Sequence, residues 1–261
     1  MRLNPFNTNN INVRSSGGGV PGGKAGGIGC GTIVIAAIGY FVFGLDPMQT
    51  AGMVEGVQQG QQQAGPANTD EQEVCTSSEY ALEACNGLQS LNQTWAATFD
   101  AQGYGDQFQQ PTLDLYGGGG VRTGCGNGTS AMGPFYCPAD QTIYIDTSFY
   151  DTLERQLGAG GDFARYYVLA HEYGHHIQTI TGISGQIRSA QQQNPSRANQ
   201  LQVLMELQAD CYAGVWAGKN RNLIEPGDIE EGMNAAAAIG DDRLTGGRVS
   251  SENFTHGTSQ Q

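Results

Sequence analysis

The spacing of apolar residues predicts a largely helical protein over the second part of the chain. Apolar side chains recur at helical intervals over 70–101, which indicates packed helical structure there. Two later helices have clear boundaries: one covers 162–180 and lies between glycines, and the second covers 198–217 and ends at a glycine. An Ala-rich stretch over 228–239 predicts a third, weaker helix.

One segment has the alternating pattern of a β-strand. It is rich in residues that favour strands and consists of Thr142, Ile143, Tyr144, Ile145 and Asp146. A Gly-rich loop region, 116–138, precedes it. The glycine run there is not followed by Lys and Ser or Thr, and so a phosphate-binding loop is excluded.

The first 69 residues lack the pattern of a folded domain. Residues 1–24 are polar and Gly-rich, and we expect them to be disordered. Residues 25–45 carry no charge and, at about 20 residues, can cross a bilayer as one helix. No small-residue cleavage site follows them, which favours an uncleaved signal anchor over a cleaved signal peptide. Residues 46–69, rich in Gln and Gly, are predicted to be a flexible tether to a domain at 70–261.

Charge is distributed unevenly around the predicted span. The formal net charge is −13, and all 25 acidic residues follow residue 45, whereas Arg2, Arg14 and Lys24 precede the span. The positive-inside tendency then predicts a single-pass inner-membrane protein with a cytoplasmic N-terminus and a periplasmic or otherwise extracytoplasmic domain. An acidic domain argues against nucleic acid as a partner, because binding it requires a basic face.

The cysteine spacing predicts two disulfides. Cys75 and Cys85 are close in sequence, as are Cys125 and Cys137 in the loop region, and such pairs indicate an oxidising compartment. The alternative is a set of unrelated free thiols. Cys211 stands alone and is expected to be buried and unreactive. A zinc ribbon is excluded because the chain has no Cys-x-x-Cys spacing.

The helix predicted over 162–180 contains the segment His-Glu-Tyr-Gly-His. His171 and His175 are four residues apart, so both imidazoles can reach one metal ion from the same helix face. Glu172 is placed to act as a general base toward a water at an open coordination position. A helix with two surface histidines is the alternative. Gly174 counts against it, since an interior helix glycine costs about 1 kcal/mol relative to Ala and suggests a close backbone approach.

The helix predicted over 198–217 offers a third ligand. Glu206 and Asp210 are four residues apart among apolar neighbours, where an unpaired carboxylate would be costly to bury. We predict Glu206 as the third metal ligand and Asp210 as the acceptor for the N–H of a ligand imidazole. A solvated acidic face is the alternative for either residue alone.

These blocks together resemble the bacterial family of neutral zinc metallopeptidases, which is zincin-like, with HExxH and a downstream Glu ligand. The resemblance rests on HEYGHHIQ and ELQADCYAGVWA, and it extends to TGCGNGTSAMGPFYCPADQTIYID, GGDFARYYVLAHE, GDDRL and FTHGTS. It covers roughly residues 68–261. Chains of this kind usually continue past the HGTS block with a basic and aromatic segment, which this sequence does not contain.

The resemblance implies an α+β fold, mainly helical with a small sheet, that binds one Zn²⁺ per chain. It also implies an edge strand that aligns a peptide substrate, and the segment 142–146 is the candidate. His256 is a candidate to stabilise the oxyanion, as are Tyr144 and Arg243, although His256 could equally be a surface residue. His176 is expected to be a packing residue or to support a ligand.

These observations predict a membrane-anchored zinc endopeptidase that hydrolyses peptide bonds with a metal-activated water and Glu172 as general base. Its partners would be peptide or protein substrates and, through residues 25–45, the membrane. The alternative is a non-catalytic zinc-containing domain, tethered to the membrane, that serves as a binding or scaffold module.

Overall fold

The structure is a computed structural model. It describes residues 1–16, 70–117, 120–244, 246, 248, 254 and 256–261. The predicted membrane span at 25–45 and the tether at 46–69 lie outside these residues. Among the residues that are described, no helix is both long enough and apolar enough to cross a membrane.

Helices form most of the described part, as the apolar spacing predicts. They are α1 (Glu71–Cys75), α2 (Glu79–Ala101), α3 (Ser148–Arg155), α4 (Asp162–Ile180), α5 (Ile183–Gln193), α6 (Ala198–Lys219), α7 (Asp228–Ala238) and α8 (Asp241–Leu244). The predicted helices over 162–180, 198–217 and 228–239 correspond to α4, α6 and α7. Helix α2 begins where the side chain of Ser78 accepts a hydrogen bond from the amide of Ala81, and so caps the first turn.

A small mixed sheet packs beside the helices. Its strands are β1 (Val13–Arg14), β2 (Thr112–Tyr116), β5 (Phe135–Cys137) and β6 (Thr142–Asp146), in the order β1-β2-β6-β5. Strands β1, β2 and β6 are parallel, whereas β5 is antiparallel to β6. A separate hairpin joins β3 (Val121–Thr123) to β4 (Gly126–Gly128). The predicted α+β class, mainly helical with a small sheet, is confirmed.

Helix α4 is the central element of the core. It contacts α2, α6 and α7, and strands β5 and β6 also pack against it. Fourteen of its 19 residues are buried, so nearly the whole circumference of the helix is covered. A helix that is buried all round is held rigidly by its neighbours, which suits it to carry a site that requires fixed geometry.

The two predicted disulfides are present. One joins Cys75 to Cys85, between α1 and α2, and the other joins Cys125 to Cys137, between the β3–β4 turn and the sheet. Each closes a short loop and so restricts the unfolded chain. The prediction for Cys211 is wrong, because this cysteine is exposed on α6.

The N-terminal segment is ordered over residues 1–16, and the prediction of a disordered stretch is wrong there. Ile11 and Val13 are buried, and strand β1 pairs with β2. Arg14 forms an ion pair with the buried carboxylate of Asp114 through its Nε, at 2.6 Å. Composition alone suggests disorder because the segment is polar, but its polar groups find partners in the domain.

Side-chain amides of α2 supply further partners for this segment. Gln89 donates to the carbonyl of Pro5 at 2.9 Å, and Asn92 donates to the carbonyl of Asn10 at 2.9 Å. The folded unit therefore consists of residues 1–16 together with the region that begins at Asp70, and not of 70–261 alone.

The pairing of β1 with β2 constrains the predicted membrane topology. Val13 lies beside Leu113 in the parallel pair, so residues 1–16 and the domain are on the same side of any membrane. A single crossing at 25–45 would separate the two strands. The predicted orientation, with a cytoplasmic N-terminus and an extracytoplasmic domain, is therefore incompatible with this sheet.

Candidate metal centre

Helices α4 and α6 bring the three predicted metal ligands together. The Nε2 atoms of His171 and His175 each lie 3.2 Å from Oε2 of Glu206. The ligand atoms of the three residues are all within 4.8 Å of one another, and the group could hold a metal ion. His171 and Glu206 are buried, and the side chain of His175 is 15% exposed.

This geometry fits zinc. Zinc bonds of about 2.1 Å to His nitrogen and carboxylate oxygen, in tetrahedral arrangement, place neighbouring ligand atoms about 3.4 Å apart. The observed separations of 3.2 Å between Glu206 and each imidazole are close to that value. Three protein ligands with two nitrogens and one oxygen are also typical of catalytic zinc sites, which keep one position open.

Close packing of α4 on α6 makes this arrangement possible. A Cβ atom at Gly174 would lie 2.9 Å from both the Cα and the carbonyl oxygen of Ala209. Because backbone atoms cannot move aside as a side chain end can, only glycine permits the helices to approach this far. The close backbone approach that the sequence indicated at Gly174 is confirmed.

Each ligand has a hydrogen-bond partner behind it. Asp210 Oδ1 lies 2.7 Å from Nδ1 of His171, as predicted, and it also accepts from the hydroxyl of Tyr167. Gln202 donates to Oε1 of Glu206 at 2.6 Å. Such partners fix the orientation of metal ligands. Tyr167 and Gln202 were not predicted, although Tyr167 lies one helical turn before His171 and Gln202 lies one helical turn before Glu206.

The partner of His175 is on the same helix. Oε1 of Gln178 lies 2.9 Å from Nδ1 of His175. Gln178 was also missed by the sequence reasoning, because a glutamine in a helix gives no signal of its own; only its position three residues after His175 could have suggested the contact.

The electrostatics of the site keep the carboxylate of Glu206 ionised. Burial disfavours the carboxylate form of Glu206. The charges of His175 and His256 and the hydrogen bonds from both ligand imidazoles outweigh this effect, so the pKa of Glu206 lies well below its ordinary value. Burial likewise opposes a charged His171, yet hydrogen bonds to Asp210 and Glu206 raise its pKa well above the ordinary value. The carboxylate of Glu206 is thus ionised at neutral pH, as a metal ligand must be.

Two further predicted residues belong to this region. Glu172 is nearly buried and follows His171 on α4, and its charge raises the pKa of both His171 and His175. His256 arrives from the far end of the chain, with Nε2 3.8 Å from Oε2 of Glu206. Its backbone amide donates to Oδ2 of Asp241 at 2.7 Å, which holds this loop in place.

The prediction that segment 142–146 aligns substrate at a sheet edge is wrong. This segment is strand β6, which is buried along its length and paired on both sides, with β2 and β5. The edge of the four-stranded sheet next to α4 is β5, which packs against that helix. Sequence alternation identified a strand correctly but carries no information on its position in the sheet.

The other two oxyanion candidates lie elsewhere. Tyr144 is fully buried, donates its hydroxyl proton to Asp140 at 2.8 Å and receives a hydrogen bond from Arg14 at 3.1 Å. Arg243 is exposed in the short helix α8. Neither has a contact with the metal group among those described, and so only His256 of the three is near Glu206.

His176 is a packing residue, as predicted. It is fully buried on α4, with Nδ1 3.1 Å from the hydroxyl of Tyr136 on β5 and Nε2 2.7 Å from the carbonyl of Gln109. Nε2 therefore donates to the carbonyl, and Nδ1 accepts from the tyrosine. Burial lowers the pKa of His176 to about 4, which keeps the ring neutral.

A cavity of about 300 Å³ borders the metal group. His171, Glu206 and His256 line it together with apolar residues of α4, α6 and α7. The volume is far larger than one water molecule needs, so the group is accessible to a ligand and not sealed within the core.

Comparison with known proteins agrees with this geometry. Residues 3–261 match a family described as "Putative neutral zinc metallopeptidase". The uncharacterized protein YpfJ of Escherichia coli (strain K12) is 47% identical over 248 residues, which cover 93% of this chain and 81% of the relative. The uncharacterized protein Rv2575 of Mycobacterium tuberculosis (strain H37Rv) is 45% identical over 170 residues, 59% of this chain and 56% of the relative. No solved structure matches. By this match over nearly its whole length, the chain belongs to the neutral zinc metallopeptidase family.

Proposed function

We propose that this protein is a zinc-dependent endopeptidase. The observation that carries the proposal is the position of two imidazole nitrogens, from His171 and His175, each 3.2 Å from one carboxylate oxygen of Glu206. Zinc bound by these three residues would acidify a water and polarise the scissile carbonyl. The membership of the family makes peptides or proteins the expected substrates.

Glu172 acts as the general base. It lies on the same helical turn as His171, and its charge raises the pKa of both ligand imidazoles. From there it accepts a proton from the attacking water and returns it to the leaving amine. The rigid, buried helix α4 keeps this carboxylate and the two imidazoles in one fixed arrangement.

His256 stabilises the developing oxyanion. Its Nε2 is 3.8 Å from Oε2 of Glu206, whereas the Nε2 atoms of the two ligand imidazoles are 3.2 Å from it. His256 therefore lies beside the metal group. A donor in that position can reach the oxygen of a carbonyl under attack. The backbone contact between His256 and Asp241 holds it there.

Strand β5 is the surface on which extended substrate backbone would pair. It forms a sheet edge, and its neighbour α4 carries the metal group. An exposed strand edge binds peptide through main-chain hydrogen bonds. This assignment replaces β6. All residues of β6 are buried, and its two edges pair with β2 and β5, so it cannot contact substrate.

We infer that the domain works outside the cytoplasm. Two disulfides, Cys75–Cys85 and Cys125–Cys137, are typical of an oxidising compartment. Attachment to the membrane through residues 25–45 stays a prediction, but one crossing there would place residues 1–16 and the domain on opposite sides, which the pairing of β1 with β2 does not allow.

The variant Glu172→Gln tests the mechanism. We expect it to retain one zinc per chain by elemental analysis and to cleave a mixed peptide library about 10²–10⁴-fold more slowly, because only the proton acceptor is lost. Glu230→Gln, on the exposed face of α7, is the matched control and should cleave normally. Unchanged cleavage by Glu172→Gln would disprove the mechanism. Zinc binding without any cleavage by the unaltered protein would instead favour the non-catalytic alternative.

A further inference from the structure

Gln178 lies at the contact between the two helices that carry the metal group. It is fully buried, and its side-chain amide makes three hydrogen bonds. Oε1 is 2.9 Å from Nδ1 of His175, and Nε2 donates to the carbonyl of Met205 at 2.7 Å and to Oε1 of Gln208 at 3.0 Å. We propose that Gln178 is a positioning residue, which sets the ring orientation of His175 and holds it in register with Glu206. The inference rests on the proposed zinc site.

The surroundings fix which way the amide faces. Its nitrogen is directed at a backbone carbonyl, that of Met205, which can only accept hydrogen bonds. The reverse orientation would place the amide oxygen 2.7 Å from that carbonyl oxygen, which is repulsive and leaves the carbonyl without this donor. The amide oxygen therefore faces His175.

This orientation sets the state of the His175 ring. Because the amide oxygen of Gln178 only accepts, Nδ1 of His175 carries a proton. In a neutral ring Nε2 then has a free lone pair, and Nε2 is the atom that lies 3.2 Å from Glu206. A single buried amide thus directs the lone pair of one ligand at the metal position.

The same amide also determines the position of the third ligand. Met205 immediately precedes Glu206, so the hydrogen bond from Gln178 to its carbonyl ties α4 to the turn of α6 that carries the carboxylate. One side chain therefore contacts His175 directly and Glu206 through its neighbour. The amide can accept from the imidazole and donate to the carbonyl at the same time, which neither a carboxylate nor an apolar side chain can do.

The two imidazoles accordingly differ in their outer partners. His171 meets the carboxylate of Asp210, whereas His175 meets a neutral amide. A second carboxylate at position 178 could still accept from His175, but it could not donate to the carbonyl of Met205. Substitutions at Gln178 can therefore separate its two contacts.

The test measures zinc affinity and the cobalt absorption spectrum of the purified full chain. Zinc affinity is obtained by competition with a chromophoric chelator. Gln178→Met keeps the volume and removes both contacts, and we expect zinc to bind 10–100-fold more weakly, with a shifted Co²⁺ ligand-field spectrum. Gln178→Glu keeps an acceptor for His175 and should bind zinc more tightly than Gln178→Met.

Gln191→Met is the matched control. The amide of Gln191 also donates to a backbone carbonyl, that of Ala198 at the start of α6, at 3.0 Å, but it is not part of the metal group. This variant should keep the zinc affinity and cobalt spectrum of the unaltered protein. An equal loss of zinc affinity in Gln191→Met would show that general packing, and not Gln178, is responsible.

Other outcomes also decide the question. Unchanged zinc affinity and an unchanged cobalt spectrum in Gln178→Met would overturn the inference, whatever happens to stability. Equal zinc affinities of Gln178→Met and Gln178→Glu would also overturn it. If Gln178→Met does not fold, Gln178→Asn replaces it, since the shorter amide cannot make both contacts. Failure of the unaltered chain to cleave peptides would overturn the proposed function and leave these zinc measurements intact.

Discussion

Single residues around the metal group show how burial and hydrogen bonding divide the histidines between two roles. His171 and His175 have carboxylates nearby, which raise their pKa. His176 is adjacent in sequence but contacts different groups, the hydroxyl of Tyr136 and the carbonyl of Gln109, and its pKa is lowered to about 4. Position on the helix circumference, and not the identity of the residue, decides which histidine can bind a metal.

The neutral state of His176 predicts a pH dependence of stability. An unfolded histidine takes up a proton near pH 6.5, whereas folded His176 does so near pH 4. The unfolded state thus binds more protons between these values, and the free energy of unfolding should fall by about 3 kcal/mol as the pH decreases from 6.5 to 4.

Urea unfolding at several pH values, with zinc removed by a chelator, would measure this effect. His176→Gln can still donate to the carbonyl of Gln109 but has no group that titrates in this range. Its stability should decline less steeply between pH 6.5 and 4 than that of the unaltered protein. Parallel pH profiles for the two proteins would contradict the assigned pKa.

At the scale of elements, the site depends on how closely α4 and α6 approach. Gly174 allows Ala209 of α6 to lie against the α4 backbone, and the ligands of both helices then converge. Helix α4 is also covered by α2 and α7. The spacing of the metal ligands is therefore a property of the helix pair and is maintained by the surrounding packing.

The variant Gly174→Ala should separate the two helices. Its added methyl group would meet backbone atoms of Ala209 at 2.9 Å, and overpacking of this kind costs about 1–3 kcal/mol. We expect a lower free energy of unfolding by urea and weaker zinc binding.

Gly185→Ala in α5 is the control for helix propensity. No atom lies within 4 Å of a Cβ at that position, and this variant should be unchanged or stabilised by about 0.5–1 kcal/mol. If Gly174→Ala were equally stable and bound zinc normally, the close approach would not be required for the site.

At the scale of the whole molecule, the N-terminal segment is part of the fold. Residues 1–16 include β1 and accept a hydrogen bond from Gln89 of α2, and the ion pair of Arg14 with buried Asp114 fixes that strand. Residues 1–16 and the region that begins at Asp70 therefore lie on the same side of any membrane. This bears directly on where the N-terminus of the protein lies in a cell.

Thiol labelling in intact cells would test this arrangement. Asn9 and Gln193 are both exposed and far apart in sequence, and a cysteine introduced at either should react equally with a membrane-impermeant reagent. Cys30 and Cys211 would first be changed to serine to remove background labelling. Opposite accessibility of the two positions would contradict the pairing of β1 with β2.

The sequence by itself determined the parts of the protein that depend on local spacing. Two histidines four residues apart share a helix face wherever that helix packs, so His171 and His175 could be identified from the chain, as could the helix that carries Glu206. The cysteine pairs were equally clear, since each joins residues close in sequence.

Contacts between distant segments were decided only by the tertiary structure. Periodicity does not specify which distant residues become neighbours. Four features depend on such neighbours: the position of β6 inside the sheet, the ordered β1, the approach of His256 to Glu206 and the contact of Gln178 with Met205. Periodicity tells which face of an element is buried, but not which other element covers it. That choice follows from the packing of the whole chain, and in this protein it decides which residues surround the metal group.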